Sequence, residues 1–144
     1  MDASANGRAF LDSNVLVYAF DSRVTHKQAK AITLLEESSS STVAISTQVL
    51  SEFYWTVTRK LPLPLSRLEA RSVLNRLSRL IVVTVDRELI ESAIELEGSA
   101  SIAYWDALIV KAASSVGCRR LLTEDLNHGQ VIDGVLVENP FISG

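Results

Sequence analysis

The stretch Ala9-Phe10-Leu11-Asp12-Ser13-Asn14-Val15-Leu16-Val17-Tyr18-Ala19-Phe20-Asp21 decides the reading of the fold. A short apolar run stops abruptly at Asp-Ser-Asn, and a second apolar run begins at once. The first run is too short for a helix and reads as a buried strand of a parallel sheet. Ser13 or Asn14 can cap the helix that follows. Asp12 then stands at the carboxyl end of the first strand, where open α/β sheets hold their ligands. A carboxylate in that position either caps a helix or meets something cationic.

Working outward, short strands and helices alternate along the whole chain. Val15 to Phe20 reads as a short helix and Thr25 to Glu37 as a longer one, with Ala29, Ile32 and Leu35 facing inward. Val43-Ala44-Ile45 is a second strand. Ser46 or Thr47 caps a helix to about Lys60, with Val49, Leu50, Phe53, Tyr54 and Val57 at helical spacing. Leu61-Pro62-Leu63-Pro64 stops it, since neither proline can continue a helix. The next helix begins near Ser66 with Leu68, Leu74 and Leu77 on one side. Ile81-Val82-Val83 is a β-branched third strand. Asp86 caps a helix whose inward residues are Leu89, Ile90, Ala93 and Ile94, and Gly98 to Ser101 reads as a loop. Trp105 to Val116 is an apolar helix ended by Gly117. Arg120-Leu121-Leu122 is a fourth strand, and Gly134-Val135-Leu136-Val137 a last strand at the sheet edge. This order predicts one α/β domain over residues 1–144, with a central, mostly parallel, short-stranded sheet and helices on both faces.

Composition narrows the function classes. The chain has 144 residues, 47% hydrophobic and 22% charged, with a single cysteine, Cys118. No disulfide framework or cysteine metal cluster is expected. No apolar run reaches the ~20 residues that span a bilayer, and Met1 to Gly7 lacks the features of a signal peptide. A cytoplasmic protein with no membrane partner is the expectation. His26 and His128 have no ligand partner at helical spacing, which speaks against zinc. The net charge is −3, but basic residues gather locally: Arg59, Lys60, Arg67, Arg71, Arg76 and Arg79 share their segment with one acid, Glu69. Arg23, Lys27 and Lys30 form a second basic group. Such groups can hold a polyanion locally or simply face solvent. Tyr54, Trp55, Tyr104 and Trp105 invite a base-stacking reading; at apolar helix positions they read as core or dimer interface.

Four acids occupy informative places. Asp12 ends the first strand, Glu52 lies one turn into the helix after the second, Asp106 starts the apolar helix, and Asp125 follows the fourth strand. Strand ends and the first turns of the following helices converge on one edge of a parallel sheet. Four carboxylates sharing a pocket repel one another and raise at least one pKa unless a divalent cation neutralises them. Mg²⁺ suits such a site, because it takes oxygen ligands and keeps several waters. Each acid also has a plainer role open to it, as helix cap, dipole partner, surface glutamate or turn residue. Their joint placement argues for a phosphodiester-cleaving metal site.

With its flanking residues, this placement resembles the PIN domain family of metal-dependent ribonucleases. The matching words are Phe10-Leu11-Asp12-Ser13-Asn14-Val15-Leu16, Ser46-Thr47-Gln48-Val49-Leu50-Ser51-Glu52-Phe53, Tyr104-Trp105-Asp106-Ala107-Leu108-Ile109-Val110-Lys111-Ala112-Ala113 and Leu121-Leu122-Thr123-Glu124-Asp125-Leu126. The ending Gly134 to Phe141 looks like the VapC-type branch, the toxins of bacterial toxin–antitoxin pairs. The resemblance implies a three-layer α/β/α fold and an RNA substrate cut with Mg²⁺ or Mn²⁺. It implies Asp12, Glu52 and Asp106 as metal ligands, directly or through water. Asp125 matches the fourth acid, with Glu124 competing for that role. Ser13, Asn14 and Thr123 match polar positions that orient the carboxylates. A homodimer and an inhibiting antitoxin protein are implied as partners.

The four site acids account for more than the net charge, leaving a scaffold of about +1. RNA affinity must then come from the metal and from local bases, with Arg59, Lys60, Arg71 and Arg76 as candidates for phosphate contact. Two rivals stand beside the nuclease. A phosphotransfer domain of the haloacid-dehalogenase type needs a second aspartate where this chain has Asn14. A non-cleaving binder of RNA or of a partner, on the same fold, has no need of all four acids.

Overall fold

The structure is a computed structural model that describes residues 7–142. The reading of the first seven residues as lacking a signal peptide falls, but for Gly7, outside the described part. In chain order the elements are β1 (Arg8–Leu11), α1 (Ser13–Tyr18), α2 (Thr25–Glu36), β2 (Val43–Ser46), α3 (Thr47–Arg59), α4 (Arg67–Leu77), β3 (Ile81–Val83), α5 (Arg87–Ala100), α6 (Tyr104–Ser115), β4 (Cys118–Leu122), β5 (Val131–Ile132) and β6 (Val135–Glu138). They build one six-stranded sheet in the order β3-β2-β1-β4-β6-β5. Every pairing is parallel except β5 with β6. The mixed α/β architecture expected from the alternation is thus present, with the sheet in the middle and helices flanking it.

The strand order reverses beside β1. Its neighbours are β2 on one side and β4 on the other, and the chain runs outward from both. A crevice opens at such a switch point beyond the carboxyl ends of the strands. The register is matched there: Leu11 pairs with Leu122, and the Asp12 N–H donates to the Leu122 carbonyl (3.1 Å). Asp12 and Thr123 therefore leave the sheet side by side.

Burial explains why the sheet stays in place. Phe10, Leu11, Ala44, Ile45, Leu121 and Val137 are buried within one apolar cluster with Val49, Phe53 and Val57 of α3 and most of α6. Strands covered on both faces read as continuous apolar runs rather than as alternation. The caps follow their side chains. Ser46 Oγ accepts from the Val49 N–H, Ser66 and Glu69 form a reciprocal capping box, and Asp86 Oδ1 accepts from the Leu89 N–H.

Several sequence expectations are corrected. In α2 the buried residue is Ala31, while Ala29 and Ile32 are exposed. The inner side of that helix is partly polar, with Gln28 donating to the Ala19 carbonyl (3.3 Å). In α4 the buried residues are Ala70, Val73 and Leu77, and Leu68 is 76% exposed. In α5 they are Leu89, Ala93 and Leu96, which leaves both Ile90 and Ile94 exposed. Helix α5 also continues through Gly98 to Ala100, and stops at Ser101 in the left-handed region (φ 54°). The last long strand, β6, is interior, because the short hairpin strand β5 covers its outer side. Among the described residues no helix is long and apolar enough to cross a membrane.

Candidate active site

Beyond the ends of β1 and β4 lies a cavity of about 670 Å³ lined by Asp12, Glu52, Asp106 and Asp125, with Ser13, Gln48, Trp55 and Trp105 among its other walls. The four acids singled out in the sequence thus share one space, although they come from four separate elements.

Asp12 is the most constrained. It caps α1, and its Oδ1 accepts from the Ser13 N–H (2.7 Å). Its Oδ2 accepts from the Thr123 hydroxyl (2.8 Å). Only 6% of the residue is exposed. Burial pushes its pKa from 3.8 to about 6, against the two hydrogen bonds, with Asp125 and Glu52 adding like-charge repulsion. Asp106 lies in the first turn of α6, where the helix dipole favours negative charge. Its pKa is nevertheless raised, by partial burial first and by Asp125 and Glu52 next, so burial and repulsion outweigh the dipole. Glu52 receives the Ser13 hydroxyl (3.2 Å) and the Gln48 amide (3.4 Å).

The polar residues weave the β4 end to α1. Thr123 is fully buried. While donating to Asp12, its oxygen accepts from Asn14 Nδ2 (3.2 Å) and from the Asp125 N–H (3.1 Å). Asn14 Oδ1 in turn accepts from the Glu124 N–H (3.3 Å). Glu124 and Asp125 stand in different surroundings. The Glu124 carboxylate is held by the Tyr18 hydroxyl (2.7 Å) and the Lys27 ammonium, whereas Asp125 lines the cavity. Nothing in the local sequence reveals this, because Tyr18 and Lys27 lie about a hundred residues earlier.

Of the four basic candidates Arg59 lies beside a wall of the cavity, with its guanidinium 4.0 Å from the centre of the Trp55 ring. Arg71 borders a groove with Tyr54 and Leu74, and Arg76 another with Phe20 and Leu35. Lys60 is exposed beyond the end of α3. Of the two readings of Trp55 and Trp105, core or dimer interface, the core one is overturned: they are 55% and 63% exposed, on the walls of the acidic cavity. His128 is exposed, and its Nδ1 accepts from the Asn139 N–H (3.0 Å), a structural role in the loop. Cys118 is buried as expected, with its thiol pushed up to about 11 by burial, far from nucleophilic.

Among the described residues no three His, Cys, Asp or Glu side chains form a ready-made coordination cluster. The donor set nonetheless fits a hydrated hard dication. All four cavity acids offer oxygen, and the space admits water between them. Mg²⁺ and Mn²⁺ are commonly held by few carboxylates, with water completing the shell. The raised pKa of Asp12 is the strain that a cation would relieve.

The PIN domain family model matches residues 9–132. No curated protein matches the chain. Among solved structures, a toxin–antitoxin complex from Klebsiella pneumoniae is similar, with a TM-score of 0.68 at 20% identity, covering 92% of this chain and 97% of that one. VapC20 of Mycobacterium tuberculosis, described as a sarcin–ricin-loop-cleaving toxin, gives 0.64 at 19% identity, covering 81% and 91%. VapBC2 of Rickettsia felis, bound to a fragment of its promoter DNA, gives 0.61 at 23% identity, covering 91% and 97%. At these identities the likeness is one of fold.

Proposed function

This chain belongs to the PIN domain family, and from that premise we propose that it is a divalent-metal-dependent endoribonuclease, the toxin of a toxin–antitoxin pair. The observation that carries the reading is the meeting of Asp12, Glu52, Asp106 and Asp125 around one cavity at the switch point of the sheet. The toxins and toxin–antitoxin complexes with the same fold support the biological role. A cytoplasmic location accords with an RNA substrate.

In this reading Asp12, Glu52, Asp106 and Asp125 hold Mg²⁺ or Mn²⁺, in part through water. The chemistry such a cation supplies is neutralisation of phosphate charge and acidification of water. The chain's own contribution is positioning. Ser13 and Thr123 fix both oxygens of Asp12, Ser13 and Gln48 fix Glu52, and Thr123 ties the backbone that carries Asp125. The carboxylates so placed keep the scissile phosphate's neighbourhood anionic until a cation is present, which makes cleavage conditional on metal. Arg59 offers a phosphate contact at the rim.

The test is incubation of the purified protein with total bacterial RNA, with Mg²⁺ or Mn²⁺ and with chelator. Discrete fragments that require the metal are expected; uncut RNA in every lane counts against the reading and for a non-cleaving binder. Thr123→Val should lower cleavage about 10- to 100-fold, because it releases Asp12 and the Asp125 backbone without touching substrate. A variant with full activity would remove Thr123 from the site. A homodimer and an antitoxin partner complete the proposal, and sedimentation showing only monomer at micromolar concentration would refute the dimer.

A further inference from the structure

The acidic cavity does not end at its acids. A second groove, of about 500 Å³, adjoins it and shares Gln48, Ser51, Glu52 and Trp105. Its remaining walls are Thr47, Val85 and Leu108, so it is largely apolar where the first cavity is acidic. Trp105 stands between the two. Its indole is mostly exposed, although the next residue in the chain is one of the four acids.

Resting on the nuclease reading, we propose that this groove is a seat for an unpaired nucleobase of the RNA strand, stacked on Trp105, next to the phosphate that meets the acids. Three observations converge on it. First, the groove adjoins the acidic cavity along Gln48, Ser51, Glu52 and Trp105, so a strand with a phosphate at the acids has the groove within reach of a neighbouring nucleotide. Second, an exposed indole over an apolar floor is a stacking surface, and the groove falls in the size range of small-ligand sites.

Third, Gln48, on the wall that both spaces share, carries a polar atom without a partner. The Gln48 amide nitrogen donates to Glu52 Oε2 and to the Trp105 carbonyl, both at 3.4 Å. Two acceptors on that side fix the amide's orientation. The other end, Oε1, is buried without a hydrogen-bond partner, a costly condition that a donor relieves once the side chain turns to bring that oxygen to the groove surface. The exocyclic amino group or ring N–H of a base is such a donor. A paired base would have its Watson–Crick edge occupied, so the site selects single-stranded or looped RNA.

The chain has two tryptophans, so Trp55→Phe leaves Trp105 as the sole indole while keeping an aromatic ring under Arg59. Its fluorescence is titrated with a single-stranded oligoribonucleotide of about ten residues, and with the same strand annealed to its complement, in Ca²⁺. Quenching by the single strand and not by the duplex is expected. Trp105→Ala should weaken single-strand binding roughly ten- to a hundredfold, and Trp105→Phe should restore most of it. Equal response to both forms, an unchanged affinity in Trp105→Ala, or no binding would overturn the subsite. So would an indole shielded from acrylamide in the free protein in a concentration-dependent way, which would assign the face to a second copy. Parallel cleavage assays separate the two readings. Single-strand binding through Trp105 without metal-dependent cleavage sinks the nuclease and keeps the subsite. Cleavage whose KM and base preference ignore Trp105→Ala does the reverse.

Discussion

Asp106→Asn is expected to lower metal-dependent RNA cleavage by at least about a hundredfold, the loss of roughly 3 kcal/mol of transition-state stabilisation. The substitution is nearly isosteric and keeps the α6 first turn supplied with a polar side chain. Asp106 is only half buried, and its pKa is raised by burial and by neighbouring acids. Folding therefore gains little from its charge. What disappears is one anionic oxygen facing a cavity where three other carboxylates remain. The measurement is the cleavage rate in Mg²⁺ for wild type and variant, with thermal melting as the control for folding. Undiminished cleavage would mean that Asp106 serves only the dipole of its helix.

Asp12→Asn should make the metal-free protein more stable, which separates a functional carboxylate from a structural one. The folded-state pKa of about 6 exceeds the ordinary 3.8. Below about pH 4 the carboxyl is protonated in both folded and unfolded chains, and contributes no difference. Between about pH 4 and 6 the unfolded chain has lost a proton that the folded one keeps, so stability falls as pH rises. Above about pH 6 the whole penalty is present, up to roughly 3 kcal/mol for about two pKa units.

An asparagine escapes that penalty and still accepts from the Ser13 N–H. It pays at Thr123, whose oxygen already accepts two hydrogen bonds and whose hydroxyl loses its carboxylate. The net gain is expected at about 1–2 kcal/mol, a few degrees in Tm, at pH 7.5 in chelator. It should reverse near pH 4, where the charge penalty is nearly gone and the cost at Thr123 remains. Adding Mg²⁺ or Mn²⁺ should stabilise wild type more than the variant, because ligand binding to the folded state alone raises its stability. A variant less stable than wild type at pH 7.5 in chelator would make Asp12 a structural cap.

Much of this molecule was legible in one dimension. Strand–Asp–helix at Asp12, the cap offered at Ser46 or Thr47 and found at Ser46, the cap at Asp86, the start of α4 near Ser66 and the proline break after α3 are local signals; the cap of α1, expected at Ser13 or Asn14, is Asp12 itself. The parallel sheet follows from alternation, and the gathering of Asp12, Glu52, Asp106 and Asp125 follows from where parallel strands end. Local chemistry and connectivity suffice for these.

Other features were decided only by packing. Helical spacing marks apolar residues but not which of two apolar stripes meets the sheet, so Ile32, Leu68 and Ile94 face outward while Ala31, Ala70 and Ala93 are buried. Small residues win where helices approach closely. The burial of β6 depends on β5, a hairpin strand of two residues too short to show a period. Trp55 and Trp105 sit beside a charged cavity rather than in the core, which their hydrophobicity alone does not foretell. Glu124 and Asp125 differ through Tyr18 and Lys27, which bind the first, while the second lines the cavity with the other acids. Adjacent carboxylates are equivalent in sequence; only partners brought from a distance by the fold make them different.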